Sequence, residues 1–258
     1  MFECRLRKAE ILKKIMEAIK DLIREGVWDV SGNSLSLQSM DTSHVTLVQV
    51  ALMSDGFEMF RCDKNLALGV NIDTMQKLLK CSANDDTLDI KAEDDGDVMD
   101  IVFTGQNGKV AEFEMNLMDL EIEQLGIPDQ EYSCVVKMPS YEFQRICRDL
   151  SNVGEYVNIT VVKSGVEFGV KGDMGDAKIN LTESSSADNE KVTVTIMVNE
   201  PVNLTFTLSY LTFFTKATPL SDQVCLSISP DVPMVVSYEI EDLGFVKYYL
   251  APKIEEDD

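Results

Sequence analysis

The sequence holds one histidine, His44, and one tryptophan, Trp28, in 258 residues. A nucleophilic triad would have to use that single imidazole, and His44 follows "SMDTS" in a polar stretch read as a turn between strands. A structural or binding-surface role is therefore expected for it, while Ser-Lys or metal-dependent chemistry stays open on this count alone. There is no GxxxxGK[ST] loop and no GxGxxG after a strand, so nucleotide binding has no motif behind it. The acidic run "AEDDGDVMD" matches a calcium loop in composition only, because Gly96 is misplaced and no glutamate closes the loop at the right distance. These absences lead to the expectation of no catalytic residues, no cofactor and no metal.

The six cysteines, at 4, 62, 81, 134, 147 and 225, form no CxxC and no Cys/His pair at metal spacing. They read as buried free thiols in a reducing compartment. No segment approaches the roughly 18 apolar residues of a membrane span, and "MFECRLRKAE" carries charge where a signal peptide needs an apolar core. The expectation is a cytosolic or nuclear protein with no membrane partner, in which the sequons at Asn158, Asn180 and Asn203 carry no meaning. Bases are also scarce: 23 Lys and Arg against 45 Asp and Glu leave a formal charge of -22. Taken globally this argues against a phosphate-rich partner, unless the few bases are segregated.

What the chain does have is 45% hydrophobic residues, enough for real cores, arranged in one pattern used twice. "AEILKKIMEAIKDLIREG" places Leu12, Ile15, Met16, Ile19, Leu22 and Ile23 at helical spacing, with Gly26 as its expected stop. Short alternating segments such as "FECRL", "SLSLQSM" and "VTLVQVALM" read as antiparallel strands, and "DTMQKLLKCS" as a second helix followed by "TLDIKAED", "VMDIVFTG" and "KVAEFEMNL". The design restarts with the helix "PSYEFQRICRDLSNVG", three strands, the helix "LSYLTFFTKAT" and two more strands. Leu12, Ile15 and Leu35 fall opposite Phe143, Ile146 and Val166 at one constant offset, and Lys80 falls opposite Lys216 at a slightly longer one. This predicts a duplicated α+β unit, each half with two helices on antiparallel sheet. The expected domains are 1–117 and 135–258, joined by a connector at 118–134 and ending in an acidic tail. That connector holds "QLGIPDQEY", whose Leu125, Ile127 and Pro128 have nothing obvious to bury them.

All four helices carry bases: Lys13, Lys14 and Lys20, then Lys77 and Lys80, then Arg145 and Arg148, then Lys216. The acidic clusters fall at 84–86, 93–97 and the C-terminal end. With a screening length of about 8 Å at physiological salt, a phosphate near a helical face responds to local lysines more than to distant carboxylates. The low pI of about 4.3 is thus compatible with a nucleic-acid partner.

Several longer stretches carry a resemblance that covers nearly the whole chain: "LQSMDTSHV" at 37–45, "FRCDKNLALGVN" at 60–71, "LMDLEIEQLGIPDQEYSCVVKMPS" at 117–140, "RICRDLS" at 145–151, "FFTKATPLS" at 213–221, "DVPMVV" at 231–236 and "YYLAPKIE" at 248–255. On these the sequence resembles the proliferating cell nuclear antigen family, the eukaryotic sliding clamps. The resemblance implies a homotrimeric ring through which duplex DNA passes without sequence reading, with Lys13, Lys14, Lys20, Lys77, Lys80, Arg148 and Lys216 facing it. It implies strand pairing between subunits at the regions of Lys109, Phe113 and Met115 and of Ala177 and Ile179, although from the residues alone either segment reads equally as an internal strand.

The resemblance further implies that Leu125, Ile127 and Pro128 join Met40, His44, Val45, Pro233, Tyr249, Ala251 and Pro252 around an apolar pocket. Replicative polymerase, flap endonuclease, ligase and other clamp-binding-peptide proteins would insert a short helical turn there, with an aliphatic and two aromatic side chains. It implies an ATP-dependent loader, a nuclear location, and Lys163 as a ubiquitin acceptor in damage tolerance. Three positions depart from the family pattern: Ser209 and Asn152 stand where basic side chains are common and Phe113 where tyrosine is. The loop at 105–108 is one residue short. The competing readings are a subunit of the heterotrimeric checkpoint clamp, and a metal-dependent phosphoesterase built on residues 93–100.

Overall fold

The structure is a computed structural model, and it describes residues 1–121, 125–127, 130–184 and 192–253. It divides into two units, Met1–Gly126 with Ile240–Val246, and Ile127–Glu239 with Lys247–Asp258. In unit 1, β1 (Phe2–Leu6) leads into α1 (Ala9–Ile19), and β2 (Glu25–Val30), β3 (Ser34–Met40), β4 (Thr46–Met53), β5 (Met59–Cys62) and β6 (Leu66–Asn71) precede α2 (Ile72–Leu79). Three strands follow: β7 (Thr87–Ala92), β8 (Val98–Thr104) and β9 (Val110–Asn116). Unit 2 opens with β10 (Cys134–Pro139) and α3 (Ser140–Ser151), then β11 (Tyr156–Val162), β12 (Gly165–Gly172), β13 (Gly175–Leu181), β14 (Thr195–Val198) and β15 (Val202–Thr207). It continues with α4 (Leu208–Phe214), a 3₁₀ turn at Thr215–Leu220, β16 (Gln223–Ile228), β17 (Met234–Ile240) and β18 (Gly244–Leu250), of which Ile240 and Gly244–Val246 are counted in unit 1.

The duplication is explicit in the topology. Unit 1 has strand orders β5-β1-β7-β8-β9 and β4-β3-β2-β6, and unit 2 repeats them as β14-β10-β16-β17-β18 and β13-β12-β11-β15. The starts of α1, β2 and β3 sit at one constant offset from those of α3, β11 and β12, and those of β6, α2, β7 and β8 sit at one longer offset from β15, α4, β16 and β17. Both offsets are those of the residue pairs matched in the sequence, which is what an internal repeat with a small insertion produces.

Each helix buries one stripe. Leu12, Ile15, Met16 and Ile19 of α1 are at most 1% exposed, as are Phe143, Ile146 and Cys147 of α3. Such stripes supply most of a helix's stability in a protein. The amide groups that helix starts leave open are met by neighbouring loops: Ala9 N donates to the Asp86 carbonyl at 2.8 Å, Ser140 N to Asp222 at 2.9 Å and Leu208 N to Glu155 at 2.9 Å. In α2 the Asn71 side chain does this, accepting from Thr74 N at 2.9 Å.

Three expectations change. Helix α1 ends at Ile19, because Leu22 and Ile23 donate back to the Ile19 carbonyl and close a turn; both side chains still reach the core from there, which is why they matched the helical spacing. Gly26 lies inside β2 and stops nothing. Of the six thiols, Cys4, Cys134 and Cys147 are buried, Cys62 and Cys225 are half-buried and Cys81 is exposed, so burial holds for three. Trp28 is core at 1% exposure, as its strand position predicts, with no partner for its indole nitrogen among the described residues.

Candidate functional site

The bases come first, since segregation was the condition for a polyanionic partner. In unit 1, α1 and α2 frame a groove of about 340 Å³ lined by Lys13, Lys14, Lys80, Glu10, Glu17, Gln76 and Asn84. Gln76 of α2 donates to the Glu17 carboxylate of α1, fixing the two helices side by side. Three of the five lysines are held by neighbours: Lys13 Nζ donates to the Ser82 carbonyl and to Asn84 Oδ1 at 3.3 Å, Lys14 pairs with Glu10 at 2.8 Å and Lys20 with Glu17 at 2.8 Å. The Glu17 hydrogen bond raises the Lys20 ammonium above its ordinary value, and the Lys14 hydrogen bond lowers Glu10. Lys77 and Lys80 are exposed, with no ion pair among the described residues.

In unit 2, Arg148 lies exposed on α3 and its Nε and Nη2 donate to Asp149 Oδ1 at 3.1 Å. Lys216, in the turn after α4, places its Nζ 5.6 Å from the Phe213 ring centre. Asn152 caps α3 through its side-chain amide, donating to the Arg148 carbonyl at 3.0 Å, and Ser209 is exposed on α4. Bases thus occur on or beside all four helices, each unit holding its own set.

The apolar candidates fall into two groups. In unit 1, Met40 ends β3, and His44 and Val45 sit in the turn to β4 with Val45 41% exposed. That turn is organised by Asp41, which the sequence reading left unmarked. Its carboxylate is 5% exposed and accepts backbone N–H groups from Ser43 at 3.1 Å, Val45 at 2.7 Å and Thr46 at 2.8 Å. His44 adopts φ 56°, a conformation few side chains accept without such support. Leu125, 45% exposed, is tied to the same sheet by Gln38 Nε2, which donates to its carbonyl at 2.8 Å. Upstream, Met118 N donates to the Gly69 carbonyl at 2.8 Å, and a Cβ on Gly69 would collide with the Met118 oxygen. The connector therefore starts pinned to β6, and only a glycine allows it that close.

In unit 2, Ile127 and Tyr249 line one cavity of about 370 Å³ with Gln130 and Tyr132. Gln130 Nε2 donates to the Tyr132 hydroxyl at 2.9 Å. Burial, aided by Tyr132, pushes the Tyr249 phenol up to about 12, so it stays a hydrogen-bond donor. Pro233 and Ala251 are exposed and Pro252 half-buried. Lys253 anchors that last segment, its N–H donating to the Thr205 carbonyl at 2.8 Å and its ammonium standing 3.9 Å from the Tyr156 ring centre. Pro128 lies outside the described residues.

The strand segments named for subunit contact are both sheet edges. Among the described residues β9 pairs only with β8, and β13 only with β12. Phe113 is half-buried, its ring edge-on to Phe103 at 5.8 Å, whereas Met115 is 3% exposed within its own sheet. Ala177 and Ile179 are half-buried, Ile179 opposite Phe168. Lys109 is exposed in the short turn before β9, where its carbonyl accepts from Gly105 N at 2.8 Å. Lys163 is exposed in the two-residue turn from β11 to β12.

By the repeat, the counterparts of β9 and β13 are β18 and β4. The first residues of β18 belong to unit 1 with β4: Met53 N donates to the Leu243 carbonyl at 2.7 Å, and a Cβ on Gly244 would strike the Ala51 oxygen. In the acidic stretch at 93–97 Asp94 accepts from the Met1 ammonium, and among the described residues no group of three or more His, Cys, Asp and Glu is placed to hold an ion.

Two protein-family models match consecutive parts of the chain, together residues 1–253. The N-terminal domain of proliferating cell nuclear antigen covers residues 1–125, and its C-terminal domain covers residues 126–253.

Proposed function

The chain belongs to the proliferating cell nuclear antigen family of DNA sliding clamps, and on that premise we propose that three copies close into a ring around duplex DNA. The observation that carries this reading is the pair of open edges. Among the described residues strands β9 and β13 are long, partly apolar and unpaired on one side, which is a liability in a lone subunit. Their repeat counterparts are β18 and β4, and the start of β18 lies against β4 in unit 1. A β9 edge meeting the β13 edge of another copy repeats a junction the fold already uses, and a head-to-tail contact of that kind closes into a ring.

In this reading Lys13, Lys14, Lys20, Lys77, Lys80, Arg148 and Lys216 contact phosphates from inside the ring. Flexible, partly pre-engaged lysines suit a ring that moves along DNA, because they attract the backbone without reading bases. Met40, His44, Val45 and Leu125 of unit 1, with Ile127, Pro233, Tyr249, Ala251 and Pro252 of unit 2, receive clamp-binding peptides of the replicative polymerase, flap endonuclease and ligase. Tethering raises the effective concentration of those enzymes at the primer end, with no reaction by the clamp itself. Loading requires a separate ATP-driven machine, the site of action is the nucleus, and exposed Lys163 is the acceptor for ubiquitin.

Light scattering tests the assembly. A chain of 28.8 kDa gives a homotrimer of about 86 kDa. A monomer at micromolar concentration, or a ring formed only with other chains, overturns the self-sufficient homotrimer.

A further inference from the structure

We propose that the junction between copies has a single register, in which Glu112 of β9 faces Lys178 of β13 on the next copy, and that this ion pair and its apolar neighbours select a second copy of this chain. It rests on the ring reading above and adds to it which residues meet.

The fold carries its own template for the register. In unit 1 Met53 N donates to the Leu243 carbonyl at 2.7 Å, and a Cβ on Gly244 would stand 3.1 Å from the Leu52 Cα, so Leu52 of β4 lies opposite Gly244 of β18. The repeat carries both positions to the open edges. Leu35 and Val166 are equivalent core residues; Leu35 stands opposite Leu52 and Val166 opposite Leu181, so Leu181 of β13 takes the place of Leu52. Ile90 and Leu226 are equivalent at the longer offset, Ile90 standing opposite Ile101 and Leu226 opposite Val236. Two residues on, Phe103 is then the counterpart of Tyr238. The Phe103 ring meets Phe113 edge-on at 5.8 Å and the Tyr238 ring meets Tyr248 edge-on at 6.3 Å. Phe113 therefore corresponds to Tyr248, and Lys109, four residues earlier, to Gly244. By this template Lys109 of one copy lies opposite Leu181 of the next.

Counting along the antiparallel pair from that rung gives a consistent fit. On the core side Ala111 meets Ile179 and Phe113 meets Ala177, a small side chain against a large one each time, and all four are half-buried in their own sheets. A slip of two residues sets Ala111 on Ala177, leaving a gap, or Phe113 on Ile179, crowding the rung. A slip of one residue would turn charged side chains towards the core.

On the outer side Glu112 meets Lys178. That ammonium already holds Glu167 of its own sheet at 2.9 Å while remaining 65% exposed, so it can serve a carboxylate on each side of the junction. Lys178 is the one base among the six outward residues that meet, since Val110 faces Asn180 and Glu114 faces Asp176. Copies that each carry a charge of -22 repel one another, and at this edge a single lysine offsets the nearest acids. A different chain lacking either the Glu-Lys match or the small-large match would meet like charge or a void there.

Two measurements test this on the full chain, with light scattering for mass and melting temperature as the folding control. The first is oxidative cross-linking read on a non-reducing gel. V110C/N180C puts both thiols on one predicted rung, where Cα atoms of an antiparallel pair are about 5.5 Å apart, and is expected to give a covalent trimer. V110C/K178C and V110C/T182C, each one slip away at about 7–8 Å, are expected to give none. The second is the trimer dissociation constant of charge variants in an E167Q background, which keeps K178E from repelling its own sheet. E112K and K178E are each expected to raise it roughly tenfold, and the two together to return it to within about threefold, whereas E114K/K178E stays weak. A trimer that cross-links only through a slipped pair, or through none of the three, overturns the register. Additive losses in E112K/K178E overturn the ion pair. A natural protein that forms no trimer overturns the ring reading and this junction together.

Discussion

A few side chains set the shape of the candidate peptide surface without belonging to it. Asp41 is the clearest: three backbone N–H groups converge on one buried carboxylate, and the turn they form lets His44 take a left-handed conformation and keeps Val45 turned out. Charge-assisted bonds of this kind are stronger than neutral ones, and leaving buried donors unmet costs about 1–3 kcal/mol. Asp41→Ala is expected to lower the melting temperature by several degrees and weaken binding of a clamp-binding peptide, with the oligomer mass unchanged; unaltered peptide affinity in the destabilised variant removes the positioning role. The motif "SMDTSHV" was legible as a turn, and the resemblance assigns His44 and Val45 within it to the expected pocket, but the role of Asp41 was not legible. An aspartate in a polar turn reads as solvated, and its burial follows only once the chain has folded back over it. Gln38 escaped for a similar reason, since its partner is the Leu125 carbonyl, distant in sequence.

Secondary elements were more legible than their limits. Periodicity located the four α-helices of the described residues, each of which buries one stripe, and most strands, including β4 and β17, which are buried on both faces and show as near-continuous apolar runs, whereas the turn after α1 places Leu22 and Ile23 in the core at spacing that mimics another helical turn. Edges are a different matter. The alternation in β9 and β13 shows that they are strands, but whether a strand lies at an edge depends on what lies beside it, which its own residues do not encode. Phe113 and Ile179 separate the two roles of these strands, because each is only half-buried in its own sheet while Met115 of β9 and Phe168 of the neighbouring β12 carry the core. Replacing both by alanine is therefore expected to keep the circular dichroism spectrum and reduce the mass from about 86 kDa to 28.8 kDa. A variant that stays trimeric at low micromolar concentration would move the subunit contact away from these edges.

At the scale of the whole chain, composition and position conflict, and position prevails. A charge of -22 argues against DNA, yet each of the four helices carries bases on or beside it, and both units repeat that placement. The repeat was legible because paired core residues keep one offset; the partner's identity came from motif resemblance, since a handful of lysines on helices is by itself an ordinary solvated face. A clamp makes a distinctive demand on those lysines. Phosphate contacts weaken steeply with salt, about 0.9 in the logarithmic slope for each contact, but a closed ring on a circular duplex is held by topology and not by affinity. Lys77 and Lys80 are the strongest probes, being exposed and without an ion pair among the described residues. Once loaded on closed circular DNA, the natural protein and the Lys77→Gln, Lys80→Gln variant should both survive a high-salt wash. Cutting the circle should release both, with the variant leaving faster at low salt, where the lost contacts count most. Equal loss from circles and linear DNA under the same wash would show binding by charge alone, and the ring reading would fall with it.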